Sequence, residues 1–269
     1  MPSILAAGPW MGEFGFELFE WQGCLRYIAD QYDQVIVSSR PGNEVLYEDF
    51  CADYIPYEAD INPCEGFING NGTEYLAISQ DVFKGIPYTR IISSAERFRK
   101  DAPQKHVKFG KRNWELKYDV VIHARHIQVS DADQMSPGHA EMKMSRNWDN
   151  RKWVELSLYI RQHGWRACSI GLNSAALCLP GTDDLRGIPL SRLADILASS
   201  KVIVGPSSGP HHFASLCGCP QLVWGTEKLI PRYNHIWNPL NTELYFLGVD
   251  DQWDPPVHRV CGMLRAALQ

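Results

Sequence analysis

Residues 201–226, KVIVGPSSGPHHFASLCGCPQLVWGT, read as a buried strand, a small-residue turn, a helix and a second buried strand. Val202 to Val204 is an apolar run of strand length, and Gly205-Pro206-Ser207-Ser208-Gly209 is too rich in turn formers to prolong it. Phe213, Ala214 and Leu216 give the next segment an apolar face. Gly218 stands where a helix C-cap belongs, and Gln221 to Trp224 returns as strand. The first turn of a helix leaves backbone N–H groups without intrahelical acceptors, and its dipole favours negative charge. With small hydroxyls beside it, such a turn suits a pyrophosphate.

Upstream, Asp184 to Leu197 is expected to form a helix leading into that strand. The ordered set is Asp184-Leu185-x-Gly187, Leu190-x-x-Leu193-Ala194, Gly205-x-Ser207-Ser208-Gly209-Pro210-x-His212 and Ala214-x-x-x-Gly218-x-Pro220. It resembles the donor half of the GT-B glycosyltransferases, and within them the heptosyltransferase-like family of lipopolysaccharide synthesis. The resemblance implies an α/β fold of two facing Rossmann-like domains with parallel sheets and a C-terminal helix packing back on the first domain. It also implies a nucleotide-sugar donor held by Ser207, Ser208, Gly209, Pro210 and His212. Ser207 stands where that family usually has an acidic residue, so the sugar need not be a heptose.

Length and composition agree with a globular chain of this kind. The 269 residues suit two small domains, and 45% hydrophobic with 21% charged residues is ordinary. No apolar run approaches the roughly 20 residues that span a bilayer. The start MPSILAAGPW lacks the basic region and apolar centre of a secretory signal, so a cytoplasmic protein without an integral membrane segment is expected. The eight cysteines show no disulfide framework, and Cys24, Cys51, Cys168 and Cys217 read as reduced core thiols.

The chain is expected to divide at a basic stretch. Formal charge is −5, yet Arg97, Arg99, Lys100, Lys105, Lys108, Lys111, Arg112 and Lys117 face only Asp101 and Glu115 in that segment. The expected boundaries are an N-terminal domain at 1–100, the basic segment at 101–118, the donor domain at 119–257 and a last helix at 258–269. The basic segment reads either as a solvated connection or as a contact for an anionic acceptor through Lys105, Lys108 and Lys111.

In the first domain, Ile4 to Ala7, a helix from Phe16 to Ala29 and Val35 to Val37 make a β-α-β unit, which implies a parallel sheet. Leu18, Trp21, Leu25 and Ile28 share the helix's apolar face. A further helix is expected from Asn43 to about Asp53, a loose region around residues 69–72, and a strand from Thr89 to Ser93. Between the first strand and helix runs Gly8-Pro9-Trp10-Met11-Gly12-Glu13-Phe14-Gly15-Phe16-Glu17. A carboxylate between Gly12 and Gly15, at the carboxyl end of a parallel strand, faces the crevice where open α/β sheets bind ligands. Glu13 is the candidate general base, because an acceptor hydroxyl is a poor nucleophile until its proton is taken. Met11-Gly12-Glu13 resembles the family's Met-Gly-Asp. The other reading of Glu13 is a cap on the next helix, and Glu17 reads as first-turn dipole compensation.

Asp119 to Arg125 opens the second domain as a strand and is expected to bring Arg125 to the same crevice from the other side, where a guanidinium fork suits the departing diphosphate. Residues 126–148 form a long polar stretch that suits either a loop closing over ligand or plain disorder. Asn147 and Lys152 are further donor candidates, with Asp149 or Asn150 capping a helix to Gln162 and Ala167 to Ile170 following as strand. Arg232-Tyr233 and Trp237-Asn238-Pro239 are read either as a cover for base or sugar or as core and turn residues. His211, His212, Cys217 and Cys219 lack the paired hooks of a structural zinc site. No metal ligand and no carboxylate pair for a divalent ion is assigned, so metal-independent transfer is expected, with no cofactor beyond the nucleotide sugar.

The expected function is therefore sugar transfer from a nucleotide sugar to a hydroxyl acceptor, inverting if displacement is direct, with a glycan as the default acceptor. One alternative is nucleic acid, a hydroxymethylated base in DNA. Others are a non-catalytic nucleotide- or sugar-binding module, and a nucleotide-sugar hydrolase or epimerase.

Overall fold

The computed structural model describes residues 2–58, 72–94, 102–128, 144–248 and 252–269. They form two units, Met1–Val107 and Lys108–Gln269, so the division falls inside the basic stretch.

In the first unit β1 (Ile4–Ala7), β2 (Gln34–Ser39), β3 (Asp53–Pro56) and β4 (Arg90–Ile92) form a parallel sheet in the order β3-β2-β1-β4. Ile4, Ala6, Ile36 and Phe83 pack one face. The expected helix is present but irregular, running as α1 (Phe14–Phe16), a π turn (Glu17–Trp21) and α2 (Gln22–Ala29). Leu18, Trp21 and Leu25 are buried as their spacing predicts. The helix expected from Asn43 to Asp53 is not formed. A single 3-10 turn, Glu44–Leu46, leads into β3 instead, because Asn43 and Tyr47 turn their side chains to a buried carboxylate. Helix α3 (Gly72–Val82) precedes β4. The loose region at 69–71 and Arg97, Arg99 and Lys100 lie outside the described residues.

The second unit has six parallel strands in the order β10-β9-β8-β5-β6-β7. They are β5 (Val120–Ile122), β6 (Ala167–Ser169), β7 (Asp183–Asp184), β8 (Val202–Pro206), β9 (Gln221–Trp224) and β10 (Leu244–Leu247). Helix α4 (Asn150–Gln162) begins at Asp149, whose carboxylate accepts from the Arg151 amide at 2.7 Å. It buries Trp153, Leu156 and Ile160, each contributing about 1.5–3 kcal/mol. Trp148, Trp153 and Trp224 pack together with centroids 4.8–5.5 Å apart. The helix expected from Asp184 starts later, as α5 (Leu190–Ser199), since Gly187 and Pro189 interrupt it and Asp184 is strand. Helix α6 (Gly209–Cys217) ends at Gly218 in the left-handed conformation, φ +69°. Helix α7 (Ile230–His235) precedes β10. The last helix, α8 (Val257–Leu268), corrects an expectation: Val257, Val260, Cys261 and Leu264 complete the second unit's own core beside α4, β9 and β10.

The seven described cysteines are all free thiols. Among the described residues no helix is long and apolar enough to cross a membrane.

Candidate functional site

Chain order places the candidate turns. In the second unit the chain runs outward from β5 through β6 to β7, then returns to the other side of β5 and lays down β8, β9 and β10. The order therefore reverses between β5 and β8, and open parallel sheets bind ligands beyond the carboxyl ends of such a pair. His123 and Arg125 follow β5; Ser207 and Ser208 follow β8. The backbones approach closely here, since a Cβ on Gly205 would sit 2.6 Å from the His123 carbonyl oxygen and 3.0 Å from His211 Nε2. Only glycine fits.

Six of the expected residues lie around this point. Ser208 is the N-cap of α6, and its hydroxyl lies 2.8 Å from His123 Nδ1 and 2.9 Å from the Pro206 carbonyl oxygen. That hydroxyl makes no capping bond to the helix amides. Gly209 and Pro210 form the first turn behind it. His212, 8% exposed, stacks on Tyr233 at 5.8 Å and meets Trp237 edge-on at 4.3 Å. Arg125 is buried after β5, and its Nη1 donates to Asn147 Oδ1 at 2.7 Å. Asn147 also accepts from the Ile127 amide and donates to its carbonyl, which fixes the pair.

Two donor candidates are used otherwise. The Ser207 hydroxyl is buried and accepts from the Tyr233 phenol at 2.9 Å, while its amide donates to Trp224 and so continues the strand pairing. Lys152 Nζ is 2.7 Å from Asp254 Oδ1 and lies over the Trp148 ring. Neither is turned to the Ser208 turn by the contacts it makes.

Electrostatics around α6 are positive yet the histidines are neutral. Burial, then Arg125, lowers the His123 pKa from 6.5 to about 3. Burial, then Arg146 and Arg232, lowers His212 to about 3. His211 is lowered as well, by burial and by its two histidine neighbours. Arg146 is thus a functional candidate that pattern reading missed, and it joins Arg232, whose sequence reading was either a cover for base or sugar or a turn residue. They lie 86 positions apart in sequence, and only the fold gathers them near His212. Of the two readings for Tyr233, core is the one seen; Trp237 is half-buried beside it with Arg232 over its ring.

In the first unit the chain order reverses between β1 and β4, and the Gly8–Glu13 turn leaves β1 there, with the Gly8 amide donating to Ile92 at 2.8 Å. Gly8 has φ +116°, and a Cβ would strike the Ser38 carbonyl. Glu13 is the N-cap residue of α1, half-buried, and makes no side-chain cap bond. Gly12 and Gly15 flank it, and the Gly12 carbonyl accepts from Arg40 Nη2 at 2.6 Å. Glu17 is not a solvated first-turn charge. It is fully buried and bonded by Ser39, Asn43 and Tyr47.

The three acceptor lysines make separate contacts. Lys105, in the first unit, is exposed and 3.7 Å from Asp30. Lys108 lies against Gly218 at the far end of α6, roughly 13 Å of helix from the Ser208 turn. The Lys111 amide donates to Asp195.

Among the described residues no group of three or more His, Cys, Asp or Glu is placed to hold a metal. The sequence does contain one Asp-x-Asp triplet, Asp131-Ala132-Asp133, in the polar stretch after Arg125. It lies outside the described residues, as does the rest of 129–143, within the stretch read as either a closing loop or plain disorder. Carboxylates so spaced suit a divalent ion, which removes one ground for expecting metal-independent transfer.

No protein-family model matches the chain, and no curated protein matches it significantly. Solved structures do. Heptosyltransferase II for ADP-heptose and lipopolysaccharide from E. coli is 13% identical, with a TM-score of 0.61 over 99% of this chain and 98% of that one. The family 9 glycosyl transferase of Veillonella parvula is 11% identical, with a TM-score of 0.59 over 99% and 97%. E. coli heptosyltransferase WaaC, solved with ADP, is 10% identical, with a TM-score of 0.55 over 98% and 99%. At such identities the likeness is one of fold: this chain has the GT-B-like, heptosyltransferase-type fold.

Proposed function

We propose that this protein is a glycosyltransferase that moves a sugar from a nucleoside diphosphate to an acceptor hydroxyl. The observation that carries the proposal is the meeting of Ser208, His123, Arg125 and Asn147 with the first turn of α6 at the reversal point of the second sheet. Backbone donors, a hydroxyl and an anchored guanidinium there match a diphosphate. Arg146 and Arg232 add positive potential, and neutral His123 and His212 add hydrogen-bonding groups without charge of their own.

In the proposed reaction Glu13 takes the acceptor's proton, and the hydroxyl oxygen forms a bond to the anomeric carbon. The bond from that carbon to the diphosphate oxygen breaks, with its electron pair leaving on the diphosphate. Arg125 and the α6 terminus stabilise that charge as it develops. A single displacement inverts the anomeric centre. The acceptor is a glycan by likeness to the heptosyltransferases, and ADP-activated sugars head the donor candidates because three structural neighbours are described with ADP or ADP-heptose.

A thermal-shift panel of nucleotide sugars followed by product analysis tests this. One donor should raise the apparent Tm by mass action, and product should form only when acceptor is present. Sugar release without acceptor would mean a hydrolase, and binding without turnover a recognition module.

A further inference from the structure

Glu17 is a buried carboxylate that the proposed reaction does not use. It opens the π turn Glu17–Trp21, and four side chains converge on it. The Tyr47 phenol donates at 2.6 Å, Asn43 Nδ2 at 2.8 Å and the Ser39 hydroxyl also donates. Arg40 Nη1 stands 3.8 Å from Oε2. Burial raises the Glu17 pKa, and the bonds from Ser39 and Tyr47, the Arg40 charge and the Asn43 bond oppose that rise.

Arg40 reaches in a second direction. Its Nη2 donates to the Gly12 carbonyl at 2.6 Å, and its own carbonyl accepts from the Tyr54 phenol. The bonded oxygen belongs to the peptide linking Gly12 to Glu13. Gly12 loosens this turn, which is held by the Trp10 indole on the Glu13 carbonyl at 3.4 Å and by Arg40 on the Gly12 carbonyl. The fork geometry of a guanidinium allows one group to hold both a carboxylate and a carbonyl.

We propose that Arg40, anchored on Glu17, is a positioning residue that holds the Gly12–Glu13 peptide and so aims the Glu13 carboxylate. The inference rests on Glu13 being the general base. Arg40 touches neither donor nor acceptor in this scheme. Its effect belongs in turnover, since small misplacement of a reacting group costs up to about a hundredfold in rate.

The test uses the full chain and the nucleotide sugar selected by the thermal-shift panel. Arg40→Ala should lower kcat by about 10- to 100-fold with donor affinity within about twofold, and Arg40→Lys should recover only part. In a Glu13→Gln background Arg40→Ala should cost nothing more, because there is no base left to aim. Hydrogen exchange of the amides at 10–16 should quicken in Arg40→Ala while exchange in the second unit stays unchanged. Parent kcat in Arg40→Ala, beside a defective Glu13→Gln, overturns the positioning role and leaves the base assignment intact. An equal further loss in the double variant overturns it as well, marking Arg40 as structural. Parent activity in Glu13→Gln removes the base assignment and this proposal with it.

Discussion

Ser208 Oγ lies 2.8 Å from His123 Nδ1, joining the N-cap of α6 to the residue after β5 across the reversal point of the second sheet. The bond ties two strands' ends where a ligand's charge is expected, and it is made by a histidine that burial keeps neutral. His123 therefore contributes to stability with a definite sign. Its pKa is about 3 folded against 6.5 ordinarily, so the unfolded chain takes up the proton first as pH falls. Stability should fall with pH from about 6.5 towards 3, by up to about 1.4 kcal/mol per pH unit for this group. Urea unfolding between pH 4 and 7 should show a slope reduced by about one proton in His123→Gln. Equal slopes in parent and variant would contradict the assignment.

Metal dependence follows from the groups around α6. With Arg125, Arg146, Arg232 and the helix terminus available to neutralise a diphosphate, transfer should persist in excess EDTA. Loss of transfer, restored by Mn²⁺ or Mg²⁺, would instead give Asp131 and Asp133 a metal-holding role.

Much of this was legible locally. The strand-turn-helix-strand run from Val202 to Trp224 is observed as β8, α6 and β9, because period, turn chemistry and the Gly218 cap agree. Helix α4 was legible for the same reason. The Asn43 and Asp184 helices were not: tertiary bonds to Glu17 override one, and Gly187 and Pro189 cut the other. Ser207 and Ser208 are neighbours of one type, yet in the bend after β8 one bonds Tyr233 and the other His123. Arg40 and Glu17 carry no local signal, since their network joins β2, the π turn and residues 43–54 only in the folded unit.

The basic segment separates acceptor classes. For a polyanionic acceptor such as DNA, affinity should weaken steeply with salt, and the combined changes Lys105→Ala, Lys108→Ala and Lys111→Ala should flatten that slope. A neutral glycan predicts little of either effect. Filter binding or anisotropy across a salt series reads the difference, and salt-independent binding would exclude the nucleic-acid reading.

Glu13→Gln should keep donor affinity and lose transfer, because the amide preserves size and removes basicity. The loss should be roughly 10²–10⁴-fold and should fall on kcat. Weakened donor binding would mark Glu13 as structural. Parent-level transfer in Glu13→Gln would remove the base assignment.

The most direct test of the diphosphate site is calorimetry with ADP, UDP, GDP and CDP on the parent protein and Gly209→Trp. Gly209 opens the first turn of α6 beside Ser208, so a bulky side chain there should block the diphosphate's approach to the helix amides. At least one nucleoside diphosphate should bind the parent, and the substitution should weaken it at least about a hundredfold with Tm nearly unchanged. Unchanged affinity in Gly209→Trp would contradict the account.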